Sequence, residues 1–514
     1  MVIATLSSFL CLLFLAALIF KIFHKIWWIP NRVQRLMASQ GIRGPRYRLL
    51  HGNIKEVSNL SKEAMSRPLD LSHNILPVVL PHVHAWTKMY GKNYLQWHGT
   101  VAQLVVTEAK LCKEILGNKD GFYLKPDFRT FTKVFGNGLQ NLEGERWVKS
   151  RKLANQAFHG ESLKNMIPDM IASTNTMLDR WKSHDERKEM DVHEEFRLLS
   201  SELISRTAFG SSYVEGKNIF DKLMRLSLLL KNDFNIKFPG FSKLFRTSND
   251  TVSDRLVKEI SDSIRGIVKK REDKEMNRED GSFGSDFLGL LLKAHHDTNN
   301  IQRISVDDLI DECKSFYFVG HETSNNLLSW TVFLLALHTD WQEKGREEVI
   351  QIFNKQIPNP EGLSKLKTMS MILNESLRLY TPAVTGARRL ENDVRLGKLI
   401  VPSTVELIIP YLALHHEPDS WGQDAQLFKP ERFSEGVAKA TKNSIVTFIP
   451  FGMGPRICVG QNFATFEAKI ALSMMLQRYS FTLSPGYVHS PLRTISLRPR
   501  HGVQVMLHSL NFED

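Results

Sequence analysis

FIPFGMGPRICVGQNFA, residues 448–464, sets one cysteine, Cys458, among Gly452, Gly454 and Gly460. It runs straight into an amphipathic segment with Phe466, Ile470, Leu472 and Leu476 on its apolar positions. Glycines so placed let the backbone turn tightly and lie against something flat. The start of the following helix offers N–H groups and a positive dipole end, which favour a thiolate at Cys458. Such a thiolate is a good iron ligand. The bland alternative for a lone cysteine is a small buried hydrophobe, and that is what Cys11, Cys112 and Cys313 are expected to be. The four cysteines lie far apart with no CxxC pair, so neither a disulfide framework nor a structural zinc site is supported, and a reducing compartment is expected.

Upstream, Glu375 and Arg378 in NESLRLYTP stand three residues apart on a helix ended by Thr381-Pro382, so they share a face. Exposed, such a pair is decoration worth a few tenths of a kcal/mol, roughly. Pro430-Glu431-Arg432-Phe433 supplies a second arginine, and a Glu-Arg-Arg triad is stable inside a protein only if multiply hydrogen-bonded. From Ser305 the chain reads SVDDLIDECKSFYFVGHETSNNLLSWTVFLLALHTD, where Ser305 and Asp308 make a capping-box-like start and no proline intervenes. This predicts one long helix. Asp311, Glu312, Lys314, His321 and Glu322 make it too polar to span a membrane, so it is expected to cross the protein core. Gly320 beside Glu322 and Thr323 costs about 1 kcal/mol relative to alanine, and asks either for close approach of a large ligand or for a packing notch.

At the other end, residues 1–20 carry no charge and are long enough to cross ~30 Å of hydrocarbon. This predicts a membrane anchor rather than a cleaved signal, which wants a basic start and a small-residue cleavage site. Lys21, Lys25, Arg32 and Arg35, with Trp27 and Trp28 between them, place the rest of the chain in the cytosol by the positive-inside rule. The expected layout is an anchor over 1–20, a basic juxtamembrane linker over 21–40 and one large body over 41–514. Helical periodicity dominates that body, for example at 198–209 and 466–476, while strand-like runs such as 103–107 and 401–409 are short. The fold class is therefore mainly α with a minor sheet. The 514 residues carry 67 Lys+Arg against 55 Asp+Glu, a net +12, but no basic block with interleaved aromatics appears, so no nucleic-acid partner is expected. Residues 269–285 read as a solvated connection, and Phe234, Phe238, Phe241 and Phe245, set among basic residues, as a loop that touches the membrane surface.

FGMGPRICVG resembles the FxxGxRxCxG signature of cytochrome P450, the haem-thiolate monooxygenases, with Phe451, Gly454, Arg456, Cys458 and Gly460 on its fixed positions. The other family motifs stand in the family's order: WxxxR as Trp147 and Arg151, Gly-x-Glu-Thr as Gly320, Glu322 and Thr323, ExxR as Glu375 and Arg378, and PERF. The resemblance implies the cytochrome P450 fold over residues 41–514, haem b as cofactor and Cys458 as the axial ligand of its iron. It implies that Trp147, Arg151, Arg388 and Arg456 contact the haem propionates, with Arg389 adjoining Arg388. Thr323 and Glu322 resemble the alcohol–acid pair that delivers protons, while Glu375, Arg378 and Arg432 resemble the structural set that holds the cysteine loop. By analogy Phe122, Phe131, Phe135, Phe316, Val319, Ala383 and Val384 line a substrate pocket, Val319 standing where the family usually has alanine or glycine.

GIRGPRYR, SSYVEGKNIF and GPRICVGQNFA are similar to a plant clan whose members oxidise steroid hormones, gibberellins and other terpenoids, which implies a hydrophobic, terpenoid or steroid-like substrate and dioxygen. No GxGxxG follows a strand, so electrons are expected from an NADPH-dependent flavoprotein reductase, with Lys149, Lys152 and Lys442 as docking candidates. The resemblance places the chain in the endoplasmic reticulum membrane, single-pass, with the catalytic domain facing the cytosol. Two other readings stand beside oxygenation: haem-thiolate rearrangement or dehydration, and a noncatalytic haem sensor, which has no need of Glu322 and Thr323.

Overall fold

Ser305 caps the long helix Val306–Leu337 of the computed structural model: its hydroxyl accepts from the Asp308 N–H and the Asp308 carboxylate accepts in return from the Ser305 N–H. The structure describes residues 2–66, 69–126, 129–182, 189–211, 213–231, 248–276, 283–299 and 303–510. The aromatic residues Phe234, Phe238, Phe241 and Phe245 fall outside them, as does part of the 269–285 connection. The chain divides into two units: Met1–Pro68 with Leu76–Pro126 and Thr385–Ala413, and Leu69–Ile75 with Asp127–Val384 and Leu414–Asp514.

The first unit opens with the apolar helix Val2–Phe23, continued through one wide turn, His24–Trp28, into Ile29–Ser39. Pro30 has no N–H to return to the preceding turn, which accounts for the local widening there. The Tyr47 hydroxyl satisfies the Ile26 carbonyl instead, donating at 2.6 Å. Within this helical run, Thr5–Ser39 is long and apolar enough to cross a membrane; its apolar side chains from Leu6 to Phe23 are exposed, whereas Pro30, Val33 and Met37 are buried. The same unit holds a five-stranded sheet in the order Asn93–His98, Val101–Val106, Val405–Ile409, Gly386–Leu390, Tyr123–Leu124. Its second and third strands run parallel, Leu104 against Leu407, and the other pairs antiparallel. Gly386 is required there: a Cβ would sit 2.1 Å from the Tyr411 hydroxyl.

The second unit is built around Val306–Leu337, which is buried from Leu309 to Ala336 apart from a few positions. Helices Val192–Phe209, Ser248–Met276 and Gln461–Leu476 pack on it. Gly320 answers the question its sequence raised, for a Cβ there would stand 2.7 Å from Cδ1 of Ile204. The glycine is a packing notch for Val192–Phe209. A small sheet, Glu189–Asp191, Gln504–Ser509 and Tyr479–Leu483, and a hairpin, Pro491–Arg493 with Leu497–Pro499, make up the β structure of this unit among the described residues.

Two buried carboxyls bear on stability. Loss of water pushes both Glu312, on the central helix, and Glu467, on Gln461–Leu476, up to about 7 from an ordinary 4.5. A carboxyl whose folded pKa lies above its unfolded one stabilises the fold fully below pH 4.5, and that contribution disappears as pH rises through 7. The midpoint of thermal unfolding is therefore expected to fall between pH 5 and pH 8, less so in E467Q. Equal slopes in the two proteins would show that Glu467 is not the group responsible.

Candidate active site

Gly452 and Gly454 take φ of +75° and +73°, a region that other residues enter only at a cost, and the Gly454–Arg456 turn follows. The loop then closes on itself, the Ile457 N–H donating to Gly454 O at 3.0 Å and the Cys458 N–H to Phe451 O at 2.9 Å. This folding aims Cys458 at the start of Gln461–Leu476, where the Gly460 N–H points at the sulfur. Burial raises the thiol's pKa; the Gly460 N–H and the Arg151 guanidinium act against that. Ligation to a metal ion removes the proton outright.

Around the loop stand three of the four groups marked for carboxylate binding. Trp147 and Arg151 lie one turn apart on the helix Gly144–Phe158. Arg151 donates to Ile457 O at 2.6 Å and to Asn155 Oδ1 at 3.0 Å. The Arg456 guanidinium sits 4.2 Å from the centre of the Trp147 ring, donating to Leu142 O at 2.8 Å and to the Glu143 carboxylate. Arg388 belongs to the other unit. There the period of two along Gly386–Leu390 separates the neighbouring arginines: Arg388 is buried, whereas Arg389 is only half-buried and donates to Lys125 O at 3.1 Å.

On the central helix the positions that keep exposed surface between Leu309 and Ala336, besides Asp311, are Phe316, Val319, Gly320 and Thr323. Spacings of three, four and seven put them on one stripe. The Thr323 hydroxyl donates to Val319 O at 2.8 Å, a back-bond that tends to bend a helix. Glu322, about 100° round the helix from Thr323, is buried, and its Oε1 accepts from Ser496 Oγ at 2.7 Å. Asn326 Nδ2 donates to the same Ser496 oxygen at 2.9 Å, and His321 Nε2 stands 3.9 Å from the carboxylate. Ser496 is 174 residues from Glu322, and nothing in the sequence points to it.

Phe316 stacks on Phe158 at 5.3 Å, and Phe158 meets Phe463 of the helix after the cysteine edge-on at 5.7 Å. This aromatic chain ties the stripe to the cysteine helix. Ala383 is exposed although its neighbours Thr381, Pro382 and Val384 are buried. Phe135 is buried against Phe318, with ring centres 5.2 Å apart. Phe122, in the other unit, is exposed, and Phe131 lies on the helix Arg129–Phe135 with its side chain outside the described residues. Glu375 and Arg378 form a fully buried pair, bonded twice at 2.7 Å, with Arg432 Nε 3.5 Å from the Glu375 carboxylate.

This donor set fits a haem. Cys458 offers sulfur backed by an N–H, two arginines, here bonded to neighbouring oxygens, and an indole supply donors of the kind two carboxylates need, and an accessible stripe interrupts an otherwise buried helix. Comparison with known proteins agrees: the family model for cytochrome P450 matches residues 79–506. Cytochrome P450 CYP749A22 of Panax ginseng is 52% identical over 509 residues, covering 98% of this chain and 97% of that protein. The 11-oxo-beta-amyrin 30-oxidase of Medicago truncatula is 41% identical, covering 96% of each. Cytochrome P450 734A1 of Arabidopsis thaliana is 40% identical, covering 97% of this chain and 96% of that protein. The chain belongs to the cytochrome P450 family and is a monooxygenase. Membership implies a haem-iron cofactor, a redox partner, dioxygen and a hydrophobic substrate.

Proposed function

We propose that the chain is a membrane-anchored monooxygenase carrying haem b on Cys458, which inserts one atom of dioxygen into a terpenoid or steroid-like molecule. It draws electrons from an NADPH-dependent flavoprotein reductase, at the cytosolic face of the endoplasmic reticulum. The observation that carries this reading is the Cys458 loop, closed by left-handed glycines and backed by the Gly460 N–H. The substrate class rests on relatives such as the amyrin 30-oxidases, and the anchor on the apolar N-terminal helix.

Haem iron, when bound, supplies the redox chemistry for splitting dioxygen and oxidising a C–H bond. The chain's own residues do the rest. Cys458 holds the iron, with the Gly460 N–H taking part of the sulfur's charge. Trp147, Arg151 and Arg456 would hold the propionates. Thr323 presents a hydroxyl on the accessible stripe, and Glu322 holds a proton acceptor one residue away, fixed by Ser496. Phe316 and Val319 keep that stripe apolar and exclude water.

The test is turnover by the full chain with reductase, NADPH and labelled dioxygen on a panel of terpenoids and steroids. One labelled atom in the product is expected; products without label would favour rearrangement or dehydration. Deleting residues 2–39 is expected to move the protein from the membrane fraction to the soluble fraction on cell fractionation. Retention on membranes would assign attachment to another surface.

A further inference from the structure

The hairpin Pro491–Arg493 with Leu497–Pro499 is fastened to the central helix at its tip. Ser496 Oγ donates to Glu322 and accepts from Asn326, and the Trp330 indole N–H donates to Leu497 O at 3.1 Å. The Leu497 N–H donates to Pro382 O at 2.9 Å, one residue before the exposed Ala383. Three residues of chain span at most roughly 10 Å. Arg493 is therefore held close to the part of the helix that presents Thr323 and to the segment that presents Ala383.

Within this fastened hairpin Pro491, Ser496, Leu497 and Pro499 are buried, yet Arg493 is exposed. Its cross-strand partner on the same face, Leu497, is fully buried, so that face of the hairpin is turned toward the protein interior, and loss of water lowers the guanidinium's pKa to about 10. Open surface on an inward face, at a hairpin tip bonded to Glu322, turns Arg493 toward the space beside the central helix. Arg498, the other arginine of the hairpin with open surface, pairs with Leu492 and so lies on the opposite face, while Phe316, Val319, Thr323 and Ala383 bring no charge. A guanidinium in such a place is worth most to a planar anion that can take two of its N–H groups at once.

We propose that Arg493 is the anion anchor of the substrate pocket, and that the preferred substrate is a terpenoid or steroid-like carboxylic acid. Its apolar skeleton lies along the central-helix stripe and its carboxylate lies on Arg493. The inference rests on the haem-pocket reading above and deepens it from a skeleton class to a functional group.

The test uses the full chain loaded with haem and shown to give the thiolate-type carbon-monoxide spectrum. It is titrated with triterpenoid and steroid carboxylic acids, each paired with its methyl ester, while the shift of the main haem absorption band is followed. At least one acid is expected to bind about tenfold or more tighter than its ester. R493Q is expected to weaken that acid to the level of the ester and leave the ester unchanged, with R493K in between because lysine cannot form the fork. If no acid outbinds its ester, or if R493Q weakens acid and ester alike, the inference is overturned. Should R493Q fail to load haem, the acid-to-ester ratio in the natural chain decides alone. Absence of the carbon-monoxide band in the natural chain is a separate result: it overturns the haem reading and this inference with it.

Discussion

C458S is expected to abolish the thiolate-type carbon-monoxide band and monooxygenation together, while leaving the helical fold largely in place. The geometry separates these outcomes. The loop is shaped by Gly452, Gly454 and backbone bonds at Phe451 and Gly454, none of which uses the sulfur. What serine loses is the ligand itself. A hydroxyl titrates far above a thiol, and its oxygen is a harder donor than sulfur, which also pushes electron density toward the iron to favour O–O cleavage. C458H is the sharper variant, because an imidazole still binds iron but without that push. It is expected to retain haem, give a carbon-monoxide band of the imidazole type and lose turnover. Haem content and the thiolate-type band unchanged in C458S would assign the iron to another ligand.

The parts of this molecule that could be read from its sequence are those whose physics is local. The capping box at Ser305, the length of the central helix and the glycine-framed cysteine loop depend on neighbours in the chain, and all three appear as expected. Gly320 could be flagged as needing a reason, but the reason lies on another helix, in Ile204. The choice between Arg388 and Arg389 needed strand alternation, and the two do face differently, with Arg388 the buried one. Ser496 and Asn326, which fix the Glu322 carboxylate, were out of reach, because a serine in a hairpin carries no mark of a partner 174 residues away. Aromatic residues were the least legible. The rings that Phe135 and Phe316 meet could not be named in advance: Phe135 packs against Phe318, and Phe316, while keeping its place on the accessible stripe, against Phe158 and Phe287. Ring packing is set by tertiary neighbours that periodicity does not name.

R378A is expected to destabilise the fold by about 3–5 kcal/mol, a loss comparable with the whole stability of many domains. The Arg378 guanidinium has no exposed surface, and every side of its fork is used. Nε and Nη2 each donate to Glu375 at 2.7 Å. Nη1 donates to His415 O at 2.9 Å and Ala425 O at 2.7 Å, and Nη2 also reaches Leu427 O at 3.2 Å. The Trp421 ring lies 5.0 Å away on its face. Alanine leaves the Glu375 carboxylate buried with one N–H donor from the Lys429 backbone at 3.0 Å and the more distant Arg432, and it strands three carbonyls. R378K keeps the charge, but three donors on a point cannot replace five in a plane, so most of the loss is expected to remain. The double variant E375Q/R378M removes both charges and is expected to recover part of what R378A loses, because the penalty lies in leaving one ion unpaired. Arg378 fixes three carbonyls in the segment between residues 415 and 427, and Arg432 donates to Trp421 O and Asp424 O within it. His415 in turn takes the Ile449 N–H at 2.9 Å, at the start of the stretch that becomes the cysteine loop. R378A is therefore expected to fail in haem retention as well as in thermal unfolding, although Arg378 never touches the cofactor. A melting midpoint and haem content equal to those of the natural chain would show that this buried pair does not hold the loop.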